Sequence, residues 1–140
     1  GVAHSKRKGE ILTLVSESAP SDYRGIAREK LAGFFLTWPF QWPLSLTISD
    51  RYSPLKAIRL IRHIPILIIQ GTEDRIVPYH HALRLYDAAE APKALWTVKG
   101  GRHIQAFAFE YYRRKFVNYL RGLYGYAPAN PPPNPDVQVK

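Results

Sequence analysis

Ile66-Leu-Ile-Ile69 constrains this chain more than any other segment. All four side chains are branched and apolar, so an extended backbone here presents hydrocarbon on both of its faces. Such a strand needs a helical layer above and another below. Gln70 and Gly71 end the run. Pro78, at a favoured first-turn position, opens a helix through about Ala89 with Ala82, Leu85, Tyr86 and Ala89 on one face. A doubly covered strand followed directly by a helix is the elementary unit of an α/β architecture.

Two more strand patterns accompany it, Ile11-Leu-Thr-Leu-Val15 and Ala94-Leu-Trp-Thr-Val98. One helix starts at Ser21 or Asp22, carries Tyr23, Ile26, Ala27 and Leu31 as its apolar positions and ends near Gly33. Another starts at Ser53-Pro54 and runs to about Ile61. The last runs from about Ile104 to Leu123, with Ile104, Phe107, Ala108, Tyr111, Tyr112, Tyr119, Leu120 and Leu123 inward and Glu110, Arg113, Arg114 and Arg121 toward water. Strand and helix in strict alternation predict about three parallel strands with crossover helices. Three strands leave the first with an unpaired edge. The expectation is therefore that more strands precede Gly1 in a longer protein, or that a partner supplies them. Pro39 and Pro43 argue against a regular helix in the aromatic stretch Phe34 to Trp42. Residues 127–140 hold five prolines and predict an extended, poorly ordered tail.

A chain of 140 residues with 46% hydrophobic content supports one small core. The net charge of +9 suits anionic partners in principle, but the basic residues are scattered and form no nucleic-acid motif, so nucleic acid is not an expected partner. With no cysteine, disulfides, thiol nucleophiles and thiolate metal sites are excluded, and the compartment stays undecided.

In open α/β sheets, reactive groups collect at the carboxyl ends of the strands. Asp74 stands four residues past Gln70, and His103 five residues past Val98, after Gly100-Gly101. Neighbouring parallel strands lie about 4.8 Å apart, so their tips bring a carboxylate and an imidazole within reach of each other. Such an acid fixes the imidazole tautomer, and the imidazole activates a hydroxyl. Asp74 could instead cap the turn before the Pro78 helix, His103 could cap the last helix, and Glu73 competes for the acid position. His80-His81 starts a helix, but adjacent histidines point in different directions and no third ligand stands at metal spacing, so neither a metal nor a cofactor is expected. Glu17, Tyr23 and Arg24 fall near the mouth of the expected cleft.

Ile64-Pro-Ile-Leu-Ile-Ile-Gln-Gly-Thr-Glu-Asp-Arg-Ile-Val-Pro78 resembles the acid-bearing segment of α/β-hydrolases, and Gly100-Gly-Arg-His103 is similar to their histidine loop. Val15-Ser-Glu-Ser-Ala-Pro20 is similar to the strand and loop that follow their nucleophile helix. The likeness covers roughly residues 9 to 123, keeps the chain order of acid before histidine, and is closest in style to serine aminopeptidase-like and esterase-like hydrolases. It implies a partial α/β-hydrolase fold over residues 1–126, with Gly1 to Lys8 at the tail of a preceding helix and a short cap-like insertion at about 31–60. It implies Asp74 as the triad acid and His103 as the general base. In the insertion, Trp38, Phe40 and Trp42 would line an acyl or apolar pocket, with ordinary packing as the alternative.

One departure matters. The Gly-x-Ser-x-Gly elbow that carries the family's nucleophile, and with it part of the oxyanion hole, does not occur. Ser16 and Ser18 lack the elbow glycines. The expectation is a serine hydrolase acting on an ester, amide or peptide substrate, of which this chain supplies acid and histidine while a missing N-terminal half supplies the serine. The isolated chain is then inactive. Two rival readings are a non-catalytic scaffolding module and a peripheral protein that meets a membrane surface through its charge and the Phe34 to Trp42 aromatics.

Overall fold

The computed structural model describes residues 2–4, 11–33, 35–90 and 92–129. Its strands are β1 (Val2–His4), β2 (Ile11–Glu17), β3 (Ile66–Gly71) and β4 (Lys93–Val98). Its α-helices are α1 (Tyr23–Ala32), α2 (Gln41–Leu46), α3 (Pro54–Ile58), α4 (Tyr79–Ala88) and α5 (Glu110–Leu123). The sheet order is β1-β2-β3-β4. β2, β3 and β4 are parallel, with Leu14 opposite Ile66 and Ile66 opposite Lys93.

Every residue of β3 is buried, and its two faces feed two separate clusters. Ile66 and Ile68 pack with Ile58, Ala82, Leu85 and Ala89, so α4 covers one side. Leu67 and Ile69 pack with Trp96, Val98, Ala106 and Tyr112, so α5 covers the other. The expected α4 face of Ala82, Leu85 and Ala89 is the buried one, with Tyr86 packed at its margin. Asp22 caps α1, accepting from the Gly25 N–H at 2.6 Å, as its position before the first apolar residue predicts.

Four expectations need correction. The outer edge of β2 is not bare: Val2–His4 pairs with it antiparallel, Val2 opposite Leu14, so this segment is a strand and not the tail of a helix. The rest of Gly1 to Lys8 lies outside the described residues.

The aromatic stretch is not free of helix. A 3₁₀ turn over Trp38–Phe40 leads into α2, which includes Pro43. Pro43 is the third residue of α2, where a backbone N–H has no intrahelical partner to lose, so its ring is tolerated. Phe34 lies outside the described residues.

The last helix begins at Glu110, not near Ile104. Ile104 holds a φ of 50 and Phe109 is extended, with a 3₁₀ turn over Ala106–Ala108 between them. The third helix is also shorter than its pattern suggests and stops at Ile58. Of the proline-rich tail, Ala127 and Ala129 hydrogen-bond to Arg121 and Asn118 of α5, and residues 130–140 lie outside the described residues. No helix among the described residues is long and apolar enough to cross a membrane.

Because Leu67 has no exposed surface and lies between β2 and β4, Leu67→Ala is expected to destabilise the fold by about 2–5 kcal/mol. Urea unfolding measures this as a lower midpoint at an unchanged slope.

Candidate active site

The tips of β2, β3 and β4 meet through backbone before any side chain is involved. Gly71 ends β3, and a Cβ built on it would lie 2.1 Å from the Gly101 carbonyl oxygen. That approach is possible only without a side chain. It lets Thr72 N–H donate to Val98 O at 3.0 Å and Glu73 N–H to Gly101 O at 2.9 Å, which ties the acid turn to the histidine loop.

Within this frame the Asp74 side chain, with no exposed surface, lies 3.0 Å through Oδ2 from Nδ1 of His103. Asp74 Oδ1 accepts from the N–H groups of Ile76 and Val77, both at 2.8 Å. Thus the alternative of a turn cap and the contact with histidine coexist in one carboxylate, one oxygen for each.

Burial by itself raises the affinity of Asp74 for a proton. The hydrogen bonds from Val77, His103, Ile76 and Ser18 outweigh it and hold the carboxyl below its ordinary value of 3.8. An ionised Asp74 only accepts, which assigns the proton of the imidazole to Nδ1 and leaves the Nε2 lone pair free. A surface cavity of about 300 Å³ opens beside the ring, lined by Glu73, Arg75, Ile76, Arg102 and His103. Glu73 is exposed at this rim, while Asp74 holds the buried position.

The supporting roles of three residues, Gln70, Ser18 and Glu17, escaped the sequence reading. Gln70 is fully buried and donates from Nε2 to Asp74 Oδ2 at 3.0 Å and to Val77 O at 2.9 Å. A polar residue closing an otherwise apolar run was the available signal. Ser18 sits at the end of β2 with a φ of 52. Its hydroxyl accepts from the Ile104 N–H at 3.1 Å and helps to keep Asp74 ionised. It therefore serves the acid and the loop backbone, not the free nitrogen of His103. Ser16 lies within β2, opposite Ile68. Glu17, expected near a cleft mouth, accepts from the Ala106 N–H at 2.8 Å. Glu17 and the next residue, Ser18, at the end of β2 thus hold the histidine loop by its backbone on both sides of Gln105.

The other expected positions lie elsewhere. Trp38, Phe40 and Trp42 are all more than half exposed. Trp38 lines a separate surface cavity of about 560 Å³ with Ala32, Phe35, Leu36 and Pro39. The Trp42 ring carries the Arg28 guanidinium over its face at 3.9 Å. Tyr23 and Arg24 donate backbone N–H groups to Asp50 Oδ1, and the Arg24 Nε donates to Ile48 O. They brace the segment after α2. The histidine pair also differs from expectation. The rings of His80 and His81 stack with centroids 4.5 Å apart, and both reach the carboxylate of Glu29. That third group comes from α1, 51 residues before His80.

No family model matches the chain. It is 31% identical over 114 residues to the uncharacterized protein YfhR of Salmonella typhi, covering 79% of this chain and 36% of that one. The chain thus spans little more than a third of that relative's length. Among solved structures it is similar to a puromycin hydrolase, with a TM-score of 0.56 at 20% identity over 84% of this chain and 19% of the other. It is also similar to MGS-M2, an α/β-hydrolase enzyme from a Medee basin deep-sea metagenome library, with a TM-score of 0.52 at 12% identity over 89% of this chain and 60% of the other. The three parallel strands and their helices are part of an α/β-hydrolase fold.

Two outcomes are expected. In Gly71→Ala the new methyl forces the acid turn away from the histidine loop, at a cost of about 1–3 kcal/mol or more. The His103 Nδ1–H resonance should then vanish from the low-field proton spectrum. Asp74 binds its proton less readily folded than unfolded, so its contribution to stability is full above pH 3.8 and fades as pH falls through the lower folded value. Unfolding free energies measured from about pH 5 down to pH 2 should decline in the wild type and decline less steeply in Asp74→Asn.

Proposed function

We propose that this part of an α/β-hydrolase fold supplies the acid and the general base of a serine hydrolase that cleaves an ester, amide or thioester through an acyl-enzyme. The observation that carries the reading is the Asp74–His103 contact, with Oδ2 3.0 Å from Nδ1 and the carboxylate fully enclosed. In this reading Nδ1–H of His103 donates to Asp74. Nε2 takes the proton of a serine hydroxyl as the oxygen attacks the carbonyl carbon, and returns it to the leaving group. Water, deprotonated by the same nitrogen, then opens the acyl-enzyme. Asp74 stays ionised throughout, orients the ring and stabilises the imidazolium.

In this reading the serine comes from outside residues 1–140. Ser18 Oγ is engaged by the Ile104 N–H, and the sequence has no Gly-x-Ser-x-Gly. The oxyanion donors that follow such a serine would come with it. Trp38 and its neighbours offer an apolar surface for an acyl or side-chain group. The cavity at His103, rimmed by Arg75 and Arg102, suits a substrate with a polar or anionic end.

The purified 140-residue chain is expected to hydrolyse p-nitrophenyl esters no faster than buffer does. Turnover that His103→Ala abolishes would overturn that. In a longer protein that contains this chain with an elbow serine, a fluorophosphonate probe should label the serine. His103→Ala should then lower kcat by about 10⁶-fold and Asp74→Asn by about 10⁴-fold. Labelling that neither substitution alters would remove the proposed roles.

A further inference from the structure

Among the described residues a second group of titratable side chains converges away from His103. Glu29 of α1 and the adjacent His80 and His81 at the start of α4 present ligand atoms that all lie within 4.8 Å of one another. Glu29 Oε1 is 2.9 Å from His80 Nε2, and Oε2 is 3.3 Å from His81 Nε2. Stacking of the two rings, tilted by 30°, turns both Nε2 atoms toward one carboxylate.

We propose that Glu29, His80 and His81 form a binding site for a divalent transition cation, with Zn²⁺ the best match to two imidazole nitrogens and one carboxylate oxygen. Bonds of about 2.0–2.2 Å to a tetrahedral ion put neighbouring ligand atoms roughly 3.3–3.5 Å apart. The His81 distance of 3.3 Å already matches that; the 2.9 Å to His80 is shorter and runs to the other carboxylate oxygen, so the carboxylate turns to offer one oxygen to the ion. The remaining adjustment falls on His80, whose side chain is 50% exposed and free to move, while the His81 side chain has no exposed surface and is fixed. Three protein ligands leave a fourth position for water.

The surroundings of His81 support the assignment. Ser21 Oγ lies 2.8 Å from both His81 Nδ1 and Asp22 Oδ2, and its single proton can serve either one. A carboxylate–hydroxyl–imidazole relay of this kind orients a metal-bound ring. Burial lowers the affinity of His81 for a proton, against the pull of Glu29 and Asp22, so the ring is neutral and ready to ligate near neutral pH. In the metal-free protein Nδ1 accepts from the Ser21 N–H at 3.1 Å and from the Ser21 hydroxyl, and the ring proton on Nε2 points at Glu29 Oε2. A cation at Nε2 moves that proton to Nδ1, where Ser21 Oγ accepts it and turns its own proton to Asp22 Oδ2. The Ser21 amide then loses its acceptor, a buried cost that makes the site weaker than a closed structural zinc centre. The bound ion would tie α1 to α4, whatever the chemistry at His103.

Isothermal titration of Zn²⁺ into the metal-free 140-residue chain tests this. One saturable site per chain is expected, with binding weakened by about tenfold or more in both His80→Ala and Glu29→Gln. His63→Asn, a control that tolerates the left-handed backbone at that position, should bind as the wild type does. His81 is buried and its replacement may unfold the chain, so its part is read in the wild type by long-range ¹H–¹⁵N NMR. The ring proton should shift from Nε2 to Nδ1 on zinc addition. Absence of saturable uptake up to about 100 µM Zn²⁺, unchanged affinity in both variants, or a His81 proton that stays on Nε2 would overturn the assignment.

Discussion

One enclosed carboxylate organises the upper end of the sheet. Asp74 receives two backbone N–H groups from its own turn, an amide from Gln70 of β3 and an imidazole from the loop after β4, and Ser18 at the end of β2 also favours its ionised form. A charge out of contact with water is tolerable only when its lone pairs are filled this completely. The requirement works in both directions. The donors hold Asp74 ionised, and Asp74 fixes where three strand tips and the histidine must lie.

This convergence depends on the depth of β3. Both of its faces are occupied, one by α4 through Ala82 and Leu85, the other by α5 through Tyr112. The strand therefore has no freedom to slide or rotate, and the turn that follows it inherits that rigidity. Side chains on rigid elements hold a productive geometry more closely than side chains on free loops. His103 is on a loop, but Glu17 and Ser18 anchor that loop to β2 through Ala106 and Ile104.

β3, α4 and the meeting of Asp74 with His103 were legible because each is governed by local pattern: an apolar run, a helical stripe, and residues a fixed number of steps past two adjacent strands. Other features were not, and for physical reasons. The pattern from Ile104 onward has helical spacing, yet Ile104 is left-handed and Phe109 extended. There the hydrogen bonds from β2 override propensity. Pro43 signals a break only in a helix interior, and its place in the first turn of α2 could not be known in advance. Glu29 comes to His80 and His81 through the packing of α1 beside α4, a tertiary relation that no spacing within α4 encodes.

Ile104 makes the imidazole loop a store of conformational strain. A β-branched residue at a φ of 50 sits in a region such side chains avoid, at a cost on the order of 1–3 kcal/mol. The grip of Ser18 and Glu17 sustains it. Residues at ease in that region, such as asparagine or glycine, would relax the loop without adding a contact. This position therefore offers mutational headroom, a way to gain thermostability beside the histidine, where relaxation also loosens the tension that presents the ring.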